Sequence, residues 1–165
     1  MIHASFKRQV LALVAWLAVT FVAGGVGAMA SADAPKFYAQ LAKPAWAPPA
    51  WLFGPVWTIL YVFMAWSAWL VWRKRGFAGA ATALGLFIMQ LPANALWTWL
   101  FFAFQRGALS LAEIILLWFL IASTILAFWP HQRFAALLLM PYLAWVSFAT
   151  ALTFSLCQLN QTILG

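Results

Sequence analysis

Apolar and polar positions form long blocks along the chain. The largely apolar blocks lie at about 9–29, 52–72, 77–104, 108–129 and 134–159. A helix needs about 20 apolar residues to cross the hydrocarbon core of a bilayer. The pattern therefore predicts an all-α integral membrane protein, a bundle of five transmembrane helices that forms a single membrane domain over residues 1–165.

The segment 30–51 interrupts this pattern. It contains four prolines, Pro35, Pro44, Pro48 and Pro49, together with charged residues. Proline removes a backbone donor and disrupts a helix interior. We therefore expect a long loop outside the membrane rather than a sixth span.

The first block has a second interpretation. Lys7 and Arg8, an apolar run and the small residues near Ala28 resemble a signal peptide with its cleavage site. The run, however, exceeds the roughly 7–15 apolar residues of a signal sequence. A retained helix is the favoured interpretation.

The composition supports the assignment to a membrane. Hydrophobic residues make up 67% of the chain and charged residues only 7%, whereas soluble domains carry about 25% charged residues. The surplus apolar surface must contact lipid. The net charge of +7 comes from short basic clusters between apolar runs, which is typical of membrane-helix flanks and disfavours nucleic-acid binding.

Lysine and arginine also predict orientation. A cytoplasmic N-terminus places Lys7, Arg8, Arg133 and the cluster 73–75 on the cytoplasmic side, and Lys36, Lys43 and Arg106 on the other. The positive-inside rule favours this arrangement, with the long loop outside. Without a recognisable organellar targeting segment, a bacterial inner membrane is expected.

Twelve tryptophans are present, and two explanations apply. Trp69, Trp72 and Trp129 fit the aromatic belts of membrane interfaces. Other aromatic residues recur every three or four positions with polar ones: Phe53, Trp57, Tyr61 and Met64; Gln90, Asn94, Trp97 and Phe101; Tyr142, Trp145, Ala149 and Thr153. Such faces either pack helix on helix or enclose an aromatic pocket with a few polar anchors. The pattern alone leaves both open.

Glu113 is the one acidic residue inside an apolar block. An intramembrane carboxylate often marks a functional site. A position near the start of the fourth helix is also stabilised by the helix dipole, and Arg106 is a candidate partner. Both interpretations stand.

Catalytic and metal-binding patterns are not recognisable. Cys157 is the single cysteine, and His3 and His131 lie far apart, so we expect no metal site and no cofactor. No nucleophile–base set or phosphate-binding loop is evident. These observations favour a binding protein, and enzymatic activity stays uncertain.

Several motifs resemble one family. They are Lys43-Pro-Ala-Trp-Ala-Pro-Pro49, Phe53-Gly-Pro-Val-Trp57-Thr-Ile-Leu-Tyr61, Gln90-Leu-Pro-Ala-Asn94-Ala-Leu-Trp97 and Pro141-Tyr-Leu-Ala-Trp145-Val-Ser-Phe148-Ala149. In order and spacing they are similar to the tryptophan-rich sensory protein and translocator protein family (TspO/MBR, the peripheral-type benzodiazepine receptors).

The resemblance implies a five-helix bundle, often a homodimer, that binds porphyrins and other hydrophobic ligands, including isoquinoline carboxamide and benzodiazepine drugs. It implies a pocket beneath the long loop. The implied ligand-binding residues are Tyr38, Trp46, Trp57, Asn94, Trp97, Trp145, Phe148 and Ala149. A receptor or sensor of tetrapyrroles is therefore the leading hypothesis.

Two alternatives accompany it. Some members degrade protoporphyrin in light, which would make Trp57 a catalytic residue. A tetrapyrrole or sterol transporter is the other. No Lys or Arg follows Tyr142, so the sterol motif of animal members is absent from its usual place.

Overall fold

The computed structural model describes residues 5–165, so His3 lies outside the described part of the chain. The helices are α1 (Phe6–Ala30), α2 (Ala34–Gln40), α3 (Phe53–Arg75), α4 (Ala81–Thr98), α5 (Gly107–Phe128), α6 (Arg133–Leu138), α7 (Met140–Leu159) and α8 (Gln161–Leu164). Short 3₁₀ turns precede α3 and α4, and a π-helical turn, Trp99–Ala103, extends α4.

Five of these segments are long and apolar enough to cross a membrane: α1, Ala50–Arg75, Ala78–Ala103, Gly107–Phe128 and Arg133–Leu159. The predicted all-α membrane bundle of five helices is confirmed. Each predicted span begins and ends within about one helical turn of the observed one.

The spans pack as a closed ring. α1 contacts α3 and α4, α4 contacts α5, α5 contacts α7, and α3 contacts α6. Met64, Phe87 and Ile121 are fully buried in the centre, whereas apolar residues such as Leu116 and Leu126 are exposed on the outside. Apolar side chains can remain on the outer surface of the bundle because lipid, rather than water, surrounds it.

Proline residues explain two local features that the hydropathy pattern does not reveal. The long loop contains the short helix α2, with Pro35 in its first turn, where the missing N–H of proline costs nothing. The fifth span is interrupted at Leu139 between α6 and α7. Pro141 cannot donate to the carbonyl of Leu137 four residues earlier, which weakens the helix at this point.

Candidate ligand-binding site

A cavity of about 430 Å³ lies at the end of the bundle that the long loop covers. Its walls come from α1, α2, α3 and the end of α4: Phe21, Gly24, Gly25, Gly27, Ala28, Ser31, Ala34, Pro35, Tyr38, Ala50, Phe53, Gly54, Trp57, Thr58, Tyr61, Trp97, Thr98 and Phe102. Gly25, Gly54 and Thr58 are exposed at the outer faces of α1 and α3. The cavity is therefore open between these two helices.

Three of the eight predicted binding residues line this cavity. They are Tyr38 from the loop helix, Trp57 from α3 and Trp97 from α4. The Trp57 ring lies 5.7 Å from the ring of Tyr61 and 6.0 Å from that of Tyr142. Residues four apart share a helix face, so Phe53, Trp57 and Tyr61 all reach the cavity from α3.

Asn94 lies behind the cavity wall and holds part of it in place. The hydroxyl of Tyr61 donates to Asn94 Oδ1 at 2.7 Å, and Asn94 Nδ2 donates to the hydroxyl of Tyr142 at 3.1 Å. These bonds join α3, α4 and α7 across the bundle. Asn94 does not line the cavity, so its direct effect is on the position of Tyr61.

Glycines in α1 let that helix approach the cavity wall. A Cβ atom at Gly24 would lie 2.6 Å from Tyr61 Cε2, and one at Gly27 would lie 3.3 Å from Thr98 Oγ1. Only a residue without a side chain permits such contacts at Gly24. The absence of a side chain at Gly24 therefore lets α1 pack directly against the ring of Tyr61.

The loop is held over the cavity by specific hydrogen bonds. Tyr38 donates its hydroxyl proton to the carbonyl of Pro48 at 3.0 Å. The Asn160 side chain accepts from the Ala42 amide at 2.8 Å and donates to the Ala42 carbonyl at 2.9 Å. Lys43 donates to the carbonyls of Tyr38 and Leu41, each at 2.9 Å. Burial raises the pKa of Tyr38, so this phenol stays a neutral donor at physiological pH.

Three other predicted residues form an aromatic cluster beside the cavity. The ring of Trp46 in the loop contacts Phe148 at 5.7 Å, and Phe148 contacts Trp145 at 5.3 Å. Phe53 links this cluster to the cavity, because it lines the cavity and its ring lies 5.9 Å from that of Trp145. Ala149 is buried on α7, the helix that carries Trp145 and Phe148, and it does not line the cavity.

Several buried polar atoms have no hydrogen-bond partner within residues 5–165. They belong to Gln90, Trp97 Nε1, Glu113 and Trp145 Nε1. Two of them are indole N–H groups of predicted binding residues. An unpaired buried donor carries a free-energy cost that an acceptor on a ligand or a water molecule can remove.

Glu113 does not pair with Arg106. In the described part of the chain the one ion pair joins Lys36 and Asp33 at 3.3 Å, in the loop. Glu113 lies in the second turn of α5 and is buried. The helix dipole acts mainly on the first turn of a helix, and Glu113 lies beyond that turn. No side-chain donor within residues 5–165 satisfies its carboxyl group.

The sequence patterns did not predict the contribution of α1 to the site. Helix α1 shows no stripe of alternating aromatic and polar residues, yet five of its residues line the cavity. The glycine-rich stretch around Gly24 was the available signal. Periodicity could not show that these glycines expose a ring of α3 rather than pack against another backbone.

Comparison with known proteins agrees with this architecture. Residues 13–159 match the TspO/MBR family. The chain is 40% identical over 162 residues to the tryptophan-rich protein TspO of Chlorobaculum tepidum, covering 93% of this chain and 99% of that protein. It is 38% identical over 153 residues to the TspO of Archaeoglobus fulgidus (92% and 99%) and 38% identical over 128 residues to the human translocator protein (76% of each). The chain belongs to the TspO/MBR family.

Proposed function

We propose that this protein is a membrane receptor that binds tetrapyrroles such as porphyrins, and other hydrophobic ligands including isoquinoline carboxamides and benzodiazepines. The observation that carries the proposal is the cavity of about 430 Å³ with Tyr38, Trp57 and Trp97 in its walls. Small-molecule sites are mostly apolar and aromatic, with few polar groups, and have volumes of about 300–1,000 Å³. Relatives named as a tryptophan-rich sensory protein and a translocator protein support a receptor role.

Flat aromatic ligands suit this lining. Trp57 offers an indole face next to Tyr61, and aromatic rings attract each other in offset or edge-to-face arrangements.

The opening between α1 and α3 suits a hydrophobic ligand. A molecule dissolved in the bilayer reaches the cavity through this gap without crossing water. Gly25 and Gly54 stand on opposite sides of the gap and carry no side chain that would obstruct it. We place the protein in a bacterial inner membrane, with the N-terminus in the cytoplasm, and propose a homodimer as its assembly.

Quenching of tryptophan fluorescence tests the binding proposal. Purified protein in detergent is titrated with protoporphyrin in the dark. We expect saturable quenching, and weaker affinity by about tenfold in Trp57→Ala, because loss of one ring contact and its buried area is worth about 1–3 kcal/mol. Trp66→Phe is the matched control, since Trp66 lies on the outer face of α3.

Two results would contradict the proposal. One is quenching that rises linearly without saturation, which indicates partition into detergent. The other is an equal loss of affinity in Trp57→Ala and Trp66→Phe, which would move the ligand to the lipid-facing surface. Asn94→Ala tests whether Asn94 affects binding through the position of Tyr61. If it does, Tyr61→Phe, which removes the hydroxyl that donates to Asn94, should lower the affinity for protoporphyrin by a similar factor.

A second candidate function is light-dependent degradation of the bound tetrapyrrole. The favouring observation is that Trp57 lies next to two tyrosine rings, Tyr61 and Tyr142. These side chains are oxidisable and close to the ligand cavity. Illumination in the presence of dioxygen should then give a new absorbing product that Trp57→Phe abolishes, whereas bleaching at the same rate without protein would exclude an enzymatic role.

A further inference from the structure

The end of the bundle opposite the cavity carries a concentrated positive charge. Its six basic residues, named here the cationic face, are Lys7, Arg8, Arg73, Lys74, Arg75 and Arg133, and all six are exposed. The two acidic residues of the chain lie elsewhere, Asp33 in the loop and Glu113 near the start of α5. No carboxylate is therefore available to neutralise this face.

Specific contacts gather the cationic face from three helix ends. Trp69 in α3 donates its indole N–H to the carbonyl of Gln9 at 3.0 Å, which holds the start of α1, with Lys7 and Arg8, against the end of α3. Ser67 donates its hydroxyl proton to the carbonyl of Ala135 at 2.7 Å. This bond brings α6, with Arg133 at its start, to the same end.

Two arginines mark the depth of the membrane interface. The guanidinium of Arg73 lies 5.1 Å from the ring centre of Trp69, and that of Arg133 lies 6.0 Å from that of Trp129. Tryptophan prefers the level of the lipid headgroups, and arginine above it reaches the phosphates. Lys74 and Arg75 have no such aromatic partner within residues 5–165, and they lie in the last turn of α3.

The other end of the bundle does not offer a similar surface. Lys36 is paired with Asp33, and Lys43 donates its protons to loop carbonyls. Within residues 5–165, Arg106 is the one base at that end with neither a carboxylate nor a loop carbonyl as its partner. The two ends therefore differ more in available positive charge than the number of lysines and arginines at each end suggests.

We propose that the cationic face binds the headgroups of anionic phospholipids, with Lys74 and Arg75 as principal phosphate donors and Trp69 and Trp129 fixing the depth. Charge complementarity selects this partner: six exposed bases lie at headgroup level without a counter-ion from the protein. Arginine forms two parallel bonds to a phosphate, and lysine adds a point charge. The interaction is independent of the ligand cavity.

Native mass spectrometry of the full chain in a neutral detergent tests this. The protein is offered equal amounts of phosphatidylglycerol and phosphatidylcholine, and the ratio of the two bound lipids is measured. We expect a preference for phosphatidylglycerol that falls in Lys74→Gln/Arg75→Gln. Each base near the surface is worth about fivefold in affinity, so the pair should lower the preference by roughly ten- to thirtyfold. Detergent exposes both ends, so membrane orientation does not affect the result.

Lys36→Gln/Arg106→Gln is the matched control, because it removes two bases from the opposite end. It should leave the preference unchanged, and Lys74→Arg/Arg75→Lys should retain it. If Lys74→Gln/Arg75→Gln does not fold, the single variants Lys74→Gln and Lys36→Gln allow the same comparison between the two ends of the bundle. The proposal is overturned if the native protein shows no preference for phosphatidylglycerol, or if both pairs of substitutions reduce it equally.

Discussion

At the scale of single residues, Gly24 determines the shape of the ligand cavity. It lies where α1 meets the ring of Tyr61, and that ring is fixed from its other end by the 2.7 Å bond to Asn94. A Cβ atom 2.6 Å from Tyr61 Cε2 cannot be accommodated unless the ring moves and its hydroxyl leaves Asn94. Gly25, the next residue, would place a Cβ in open space.

This contrast gives the first prediction. Gly24→Ala should weaken protoporphyrin binding by roughly fivefold or more, since overpacking of a filled site costs about 1–3 kcal/mol. Gly25→Ala adds the same methyl group and the same gain in helix propensity, and should leave affinity within about twofold. Fluorescence titration of the two variants measures the difference. Equal affinities would mean that Tyr61 does not form a wall of the binding site.

The residue scale is also where prediction from sequence reached its limit. Helical spacing correctly placed Gln90, Asn94, Trp97 and Phe101 in the interior, where all four are buried. It could not identify the partners of Asn94, because Tyr61 and Tyr142 come from two other helices. Spacing defines a face of one helix, whereas a hydrogen bond between helices depends on their rotation and depth.

At the scale of elements, the C-terminal residues fasten the loop. The Asn160 side chain forms two hydrogen bonds to the backbone of Ala42 and a third to the Leu156 carbonyl at 2.9 Å. The following helix α8 packs Leu164 against Gly107, where a Cβ atom would lie 2.5 Å from the Leu164 carbonyl oxygen. The loop over the cavity is therefore tied to α7 and, through α8, to α5.

Asn160→Ala should release this end of the loop. Each lost hydrogen bond costs about 0.5–1.5 kcal/mol, so hydrogen exchange at the Ala42 amide should become about tenfold faster while exchange within α5 stays unchanged. Gln161→Ala, an exposed neighbour, is the control. Unchanged protection of Ala42 in Asn160→Ala would show that Lys43 and the Tyr38–Pro48 bond hold the loop without help.

The elements divide into those that hydropathy reveals and those that it does not. The five spans follow from apolar length alone, which is why they were predictable. Helix α2 has seven residues, Ala34–Gln40, too few for a clear period, and it forms inside a proline-rich segment. The interruption at Leu139 depends on Pro141 within an otherwise uniform apolar run, where hydropathy gives no signal.

At the scale of the whole molecule, the two ends of the bundle differ in charge and in shape. The loop-covered end contains the ligand cavity, and the opposite end contains the cationic face. With five spans, the first and third connections lie on one side of the membrane, and the second and fourth connections lie on the other side with the N-terminus. Because bases are retained on the cytoplasmic side, we expect the cavity to open near the outer leaflet.

Cysteine labelling in intact cells measures this orientation. In a Cys157→Ser background, Ala39→Cys places a thiol on the exposed face of α2, and Ala78→Cys places one beside the basic cluster without removing a base. A membrane-impermeant maleimide should label Ala39→Cys in intact cells and Ala78→Cys only after permeabilisation. The reverse pattern would put the cavity at the cytoplasmic side, where a tetrapyrrole made in the cell reaches it directly. Labelling of both positions in intact cells would indicate mixed insertion, and the charge difference between the two ends would then be too small to direct the chain.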